Sequence, residues 1–244
     1  MARFFVPVDL WDSGGLPESE ARHASQVLRL GDGDRAMVFD GTGRAAEVEL
    51  RDVRKKNVGF RILREWREKR AHPEIHLIVA LIKNERFDWL VQKATELGAA
   101  SIRPVAAARS VVKLERKDAE KRRAKWEQAA IEAAKQCGHL VLPEIVPVSD
   151  PAEAFCSAPD GVKAIPALHE GGRPLGEVLA GQPQAVTFAI GPEGDWTESE
   201  IASARDCGFV AVDLGKHVLR SETAALHVLS AAAHQLHGGV GGIR

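Results

Sequence analysis

The stretch Ala185-Val186-Thr187-Phe188-Ala189-Ile190-Gly191-Pro192-Glu193-Gly194-Asp195-Trp196-Thr197 constrains this chain more than any other. The apolar run 185–190 predicts a buried strand. Thr197, with Glu200 three residues on, predicts a helix start with a capping box. A Gly-Pro-Glu-Gly turn therefore sits at the carboxyl end of a strand, where open α/β sheets bind ligands. Gly191 and Gly194 are expected to allow positive φ and close backbone approach. Pro192 stiffens the turn. A second stretch has the same grammar. Phe209-Val210-Ala211-Val212 predicts a short strand, the loop from Leu214 to Arg220 follows, and an Ala- and Leu-rich helix begins near Ser221. Two strand-end loops, the second carrying Arg220, Glu222 and Thr223, suggest one site, although the first alone reads equally as an ordinary turn.

Together, Ile190-Gly191-Pro192-Glu193-Gly194 and Leu214-Gly215-x-x-Val218-Leu219-Arg220-x-Glu222-Thr223-Ala224 resemble the signature of the SPOUT methyltransferases. More narrowly, they resemble the bacterial 16S ribosomal RNA uracil-N3 methyltransferases. The resemblance implies an α/β fold whose C-terminal domain, residues 74–244, is a parallel-sheet methyltransferase domain threaded as a trefoil knot. General topology rules make such a knot improbable, so it rests on the resemblance alone. An N-terminal PUA-like β-barrel, residues 1–70, is implied by His23-x-x-x-Val27-Leu28-Arg29-Leu30 with Gly31-Asp32 and Asp40-Gly41 behind it.

Local patterning agrees with that division. Short alternating segments around 35–39, 45–50 and 58–63, with Asp40-Gly41 between the first two, predict a hairpin and a small barrel or open sheet. Residues 18–30 fit an amphipathic helix. The charged stretch Trp66 to Pro73 reads as a linker. From residue 75 onward strands and helices alternate, which predicts a mostly parallel sheet. Asn84 is expected to cap the helix starting near Arg86, and Gly98 to end it. A long helix is expected from about residue 115 to 136.

The formal net charge of -1 hides an asymmetry: residues 1–139 hold 27 Lys and Arg against 21 Asp and Glu, and residues 140–244 hold 6 against 13. A basic front half suits phosphate contact, an acidic back half a small-molecule pocket. Candidate RNA contacts are Arg3, Arg22, His23, Arg29, Lys55 and Lys56, together with Lys83, Arg109 and Lys113, which match the family pattern. Each of these cations reads also as plain solvated charge. His139 and Val141 stand where the family commonly has basic residues; Asp195 and His217 are further departures.

Cys137, Cys156 and Cys207 show no metal spacing and predict buried thiols in a reducing cytoplasm. No apolar run approaches membrane-span length. His227, His234 and His237 share a helix without acidic or thiol companions, so no metal is expected. P-loop, Rossmann and hydrolase-elbow motifs are missing.

The resemblance implies S-adenosyl-L-methionine as cofactor, held by Leu168, His169, Glu170, Ile190, Gly191, Pro192, Glu193, Gly194, Leu214, Gly215, Val218, Leu219, Arg220, Thr223 and Ala224. Leu214, Val218 and Leu219 offer apolar contact to an adenine, and the surrounding carboxylates suit a sulfonium cation. Arg220 is expected to stabilise negative charge on a uracil ionised at N3, and Glu222 to orient Arg220 or take the proton. Thr223 is expected to cap the last helix. The implied partners are 16S rRNA within the assembled small ribosomal subunit and a second copy of the chain. A ribose 2′-O or tRNA methyltransferase and a non-catalytic RNA-binding assembly factor are the alternatives.

Overall fold

The computed structural model describes residues 1–238 apart from 115, 167–170 and 182, and leaves the side chain of 116 undescribed. Two compact units emerge. The first comprises Met1–Arg70 with Ile131–Leu142, the second Ala71–Ala130 with Pro143–Arg244.

In the first unit, β1 (Ala2–Phe5), β2 (Arg35–Phe39), β3 (Arg44–Arg54) and β4 (Asn57–Arg67) form one sheet in that order. The Asp40-Gly41 hairpin is present, joining β2 and β3 antiparallel. Its turn is closed by Asp40, whose Oδ1 accepts from the Thr42 and Arg44 amides at 2.7 and 3.2 Å. The expected amphipathic helix starts as α1 (Glu18–Arg22) and widens to π geometry over His23–Val27. Phe4, Val38, Val48, Leu50 and Trp11 fill the core. The segment 131–142 adds Ala134 and Leu140 against Phe39 and Ala45, and Lys135 donates to buried Glu20 at 2.9 Å. Desolvation raises the Glu20 carboxyl above its ordinary value, against the pull of Lys135.

The second unit runs β5 (Glu74–Ala80), α2 (Asn84–Glu96), β6 (Ser101–Val105), α3 (Arg116–Cys137, whose last turns belong to the first unit), β7 (Glu144–Ile145), α4 (Pro151–Cys156) and β8 (Val162–Pro166). It continues through β9 (Arg173–Pro174), α5 (Leu175–Leu179), β10 (Ala185–Ile190), α6 (Glu198–Asp206), β11 (Val210–Asp213) and α7 (Ser221–His237). Seven strands form one sheet, ordered β7-β6-β5-β10-β8-β11-β9, with every pairing parallel. Central β10 is buried along its whole length and β5 nearly so. Helices on both faces explain why these strands read as unbroken apolar runs. Leu77, Val79, Phe188 and Ile190 pack with α2 and α7; Ile78, Ala189 and Ile165 pack with Phe155 and Trp196.

Two local expectations are corrected. Lys83, not Asn84, occupies the cap position of α2, and no side chain caps it. Cys156 and Cys207 are not separate thiols: they are joined by a disulfide between the ends of α4 and α6, whose Cα atoms lie 5.0 Å apart, and Cys137 is exposed rather than buried. Spacing along the chain carried no sign of this pair because their separation is 51 residues. Among the described residues, no helix is long and apolar enough to cross a membrane.

Candidate functional site

A cleft of about 510 Å³ opens at the carboxyl ends of three adjacent strands, β10, β8 and β11. That volume lies in the range of small-molecule sites, roughly 300–1,000 Å³. One wall is the loop after β10, contributing Ile190, Gly191, Pro192, Glu193 and Asp195. The facing wall is the loop after β11, contributing Leu214, Gly215, His217, Val218 and Leu219. Ser221 and Ala224 in the first turn of α7 close it, and Pro166 marks the end of β8.

The first loop is a locked structure. Asp195 N donates to the Pro192 carbonyl at 2.9 Å, and Asp195 Oδ1 accepts from the Trp196 amide at 2.8 Å. The capping box forms as expected: the Thr197 side chain accepts from the Glu200 amide, and Glu200 accepts from the Thr197 amide at 2.8 Å. The strained residue, however, is Asp195, with φ 58°; Gly191 and Gly194 keep negative or extended φ. What the glycines supply is closeness. A Cβ on Gly191 would stand 3.1 Å from Trp196 Nε1, and one on Gly194 would stand 3.2 Å from Arg109 Cβ. Arg109 Nη1 donates to the carbonyls of Gly194 and Trp196, at 2.9 and 3.2 Å. This cation, a candidate RNA contact, thus props the loop from outside.

The second loop does need glycine freedom: Gly215 has φ 107°, and its amide donates to Asp213 Oδ1 at 2.8 Å. Val218 is 75% exposed, a large apolar side chain presented to the cleft rather than to a core. Arg220 takes the cap position of α7 with extended backbone and an exposed side chain. Thr223 is exposed and forms no cap bond, which corrects its expected capping role; the cap residue lies three positions earlier. Of the candidate cofactor residues, Ile190, Gly191, Pro192, Glu193, Leu214, Gly215, Val218, Leu219 and Ala224 line the cleft, whereas Gly194, Arg220 and Thr223 flank it. Leu168, His169 and Glu170 fall outside the described residues.

Glu222 is 8% exposed in the first turn of α7. Its Oε1 lies 3.7 Å from Arg86 Nε, and its Oε2 is buried without a hydrogen-bond partner. Arg86 Nη1 also reaches Glu193 Oε1 at 3.4 Å. In the sequence, Arg86 marks only the start of a helix. A lone arginine in a first helical turn carries no pattern that would reveal two partners more than 100 positions away.

The remaining RNA candidates divide. Arg3 Nη1 donates to the carbonyls of Lys135 and Gln136 at 3.0 and 3.2 Å, closing the carboxyl end of α3. Arg22 and Lys56 both pair with Glu18, whose carboxyl is held below its ordinary value, first by the Arg22 hydrogen bond and then by Lys56. His23 stands edge-on to Phe4, with ring centroids 6.3 Å apart. Arg29, Lys55, Lys83 and Lys113 are exposed, and Arg29 has φ 54°. Lys55 borders a groove of about 490 Å³ with Arg54, Ser25 and Gln26. Of the three helical histidines, His237 Nε2 lies 2.8 Å from the Pro73 carbonyl and the other two are exposed.

Comparison with known proteins supplies a family context. The RNA methyltransferase domain matches residues 69–233, and the RNA methyltransferase PUA domain matches residues 16–63. The chain is 33% identical to the ribosomal RNA small subunit methyltransferase E of Bacillus subtilis, over 96% of this chain and 97% of that one. Its fold matches the crystal structure of a ribosomal RNA small subunit methyltransferase E from Neisseria gonorrhoeae bound to S-adenosyl methionine, with TM-score 0.87 and 34% identity over 96% and 98% of the two chains. A Legionella pneumophila protein solved with SAM bound matches with TM-score 0.84 and 29% identity, over 96% and 97%.

Proposed function

The chain belongs to the RNA methyltransferase family, and from that premise we propose that it transfers the methyl group of S-adenosyl-L-methionine to N3 of a specific uridine in 16S ribosomal RNA. The carrying observation is the cleft framed by two strand-end loops, with the exposed Arg220 and the buried Glu222 at its rim.

The residues present suit the cofactor. Leu214, Val218 and Leu219 give an adenine an apolar seat, and Glu193, Asp195 and Asp213 give a cation an acidic surround. Gly191 packs so closely on Trp196 that the wall carries no side chain there. When bound, the cofactor supplies an electrophilic methyl group. The protein must then raise the nucleophilicity of a uracil nitrogen that carries a proton. Loss of that proton leaves negative charge on the ring, and in this reading the Arg220 guanidinium stabilises it. Glu222 accepts the proton, directly or through water. Leu168, His169, Glu170, Gly194 and Thr223 complete the cofactor set in this reading. Arg29, Lys55, Lys83 and Lys113, all exposed, are its candidate RNA-contacting cations. Trefoil threading of residues 74–244, a homodimer, a cytoplasmic location and action on the assembled small subunit belong to the same reading.

The test is incubation of the protein with S-adenosyl-L-methionine and small subunits from a strain lacking this activity, followed by nucleoside mass spectrometry. The expected product is 3-methyluridine in 16S rRNA. A 2′-O-methyl product, a product only on tRNA, or no product overturns the assignment.

A further inference from the structure

Arg86 is the side chain that joins the two halves of the site. It projects from the first turn of α2 and faces Glu193 in the loop after β10 and Glu222 in the first turn of α7, at 3.4 and 3.7 Å. The three residues come from separate elements of the second unit, so no local geometry enforces their meeting. Glu222 is the unusual member. A buried carboxylate normally has both oxygens satisfied, because an orphaned polar atom carries its full desolvation penalty. Here only Oε1 faces a cation, and Oε2 is buried with no partner. Among the described residues, the Arg86 guanidinium is the cation that meets this carboxylate.

We propose that Arg86 is a positioning residue for the methyl-transfer reaction: through one oxygen it fixes the Glu222 carboxylate in the first turn of α7, the helix that Arg220 caps. Glu193 anchors the guanidinium from the opposite side, so the clamp ties the cofactor wall to the turn that follows Arg220. The inference rests on the proposed reaction. It adds a residue that need not touch cofactor or RNA. The two bonding directions of the guanidinium, Nε toward Glu222 and Nη1 toward Glu193, explain why a planar multi-donor group is required rather than a single ammonium.

A double-mutant cycle on the full-length protein tests this, using small subunits and S-adenosyl-L-methionine at saturation. Arg86→Gln is expected to lower kcat by about 10²-fold, the scale of a misplaced reacting group. The dissociation constant for S-adenosyl-L-methionine, read by calorimetry, is expected to stay within a few-fold. Arg86→Lys recovers part of kcat. In a Glu222→Gln background, adding Arg86→Gln is expected to lower kcat by less than about threefold, because groups acting as a unit are not additive. Fully additive losses, or a loss in kcat matched by loss of cofactor affinity, overturn the proposal. The melting temperature of each variant separates the kinetic effect from unfolding, and a kcat loss that merely tracks the unfolded fraction also overturns it. The wild-type arm reports on the reaction itself: no turnover on small subunits overturns the proposed function and this inference with it, whereas wild-type turnover with additive losses overturns the inference alone.

Discussion

In the first unit Glu49 meets Arg51 and Arg61, Glu65 meets Arg44, and Glu18 meets both Arg22 and Lys56. In the second, Glu222 meets one guanidinium at 3.7 Å and leaves an oxygen orphaned, while Arg220 forms no ion pair among the described residues. The two units carry the same residue types and use them differently. On the sheet of the first unit, opposite charges neutralise each other across β3 and β4, which secures register and solubility but contributes little per exposed pair. Beside the cleft of the second unit, the Glu222 carboxylate is incompletely matched. A count of cations by half therefore overstates the charge available to a phosphate partner: several of the basic residues in the front half already have partners within the chain.

The largest effect that would break this comparison is at Arg220. Arg220→Ala is expected to lower kcat by about 10²–10³-fold, the scale seen on removing one charge-stabilising donor, with cofactor affinity kept within a few-fold by calorimetry. Near-wild-type turnover would place Arg220 among the merely solvated cations. Next is a nearly buried ion pair of the first unit, Lys135 with Glu20. Lys135→Met strands the Glu20 carboxylate and is expected to cost about 3–5 kcal/mol in urea denaturation; a loss under about 1 kcal/mol would mean the pair is no more than an exposed one. Thr197→Ala removes half of the capping box and should cost about 1 kcal/mol, read by the same titration.

The smallest effect concerns pH. Arg44 holds the Glu65 carboxyl below its ordinary value, chiefly through their hydrogen bond. A depressed folded value means that the stabilisation is present above the unfolded carboxylate value, about 4.3, and is lost as pH falls through the folded one. Glu65→Gln is thus expected to be less stable than the wild type at neutral pH, and the gap to close on acidification. A gap that widens in acid would contradict the pairing. Glu20, raised by desolvation, has the opposite sign: its contribution is full below the unfolded value and fades as pH rises.

Much of the architecture was legible where a signal is local. The apolar runs of β5 and β10, the Asp40-Gly41 hairpin and the Thr197/Glu200 box depend on residues within a few positions of one another. The pairing of the two cleft loops was legible because each is a strand-end turn with its own pattern. Other features depend on distant contacts. Positive φ fell on Asp195 because its carboxylate closes the turn on the Trp196 amide, a local bond that the neighbouring glycines masked. Arg109 became a loop prop and Arg3 a helix-end cap because each meets carbonyls 85 or more positions away. Arg86 escaped notice for the same reason.

The composition of the first unit has a consequence for synthesis. Its core and its Glu20–Lys135 and Arg3–Lys135 contacts draw on Ile131–Leu142. A growing chain leaves the ribosome amino end first, so the opening 70 residues must wait, with Phe39 and Ala45 uncovered, while the β5–α3 stretch emerges. Their last partner arrives only when the nascent polypeptide is about twice as long as the piece it completes. A single cut after Arg70 would likewise release a fragment missing part of its own interior.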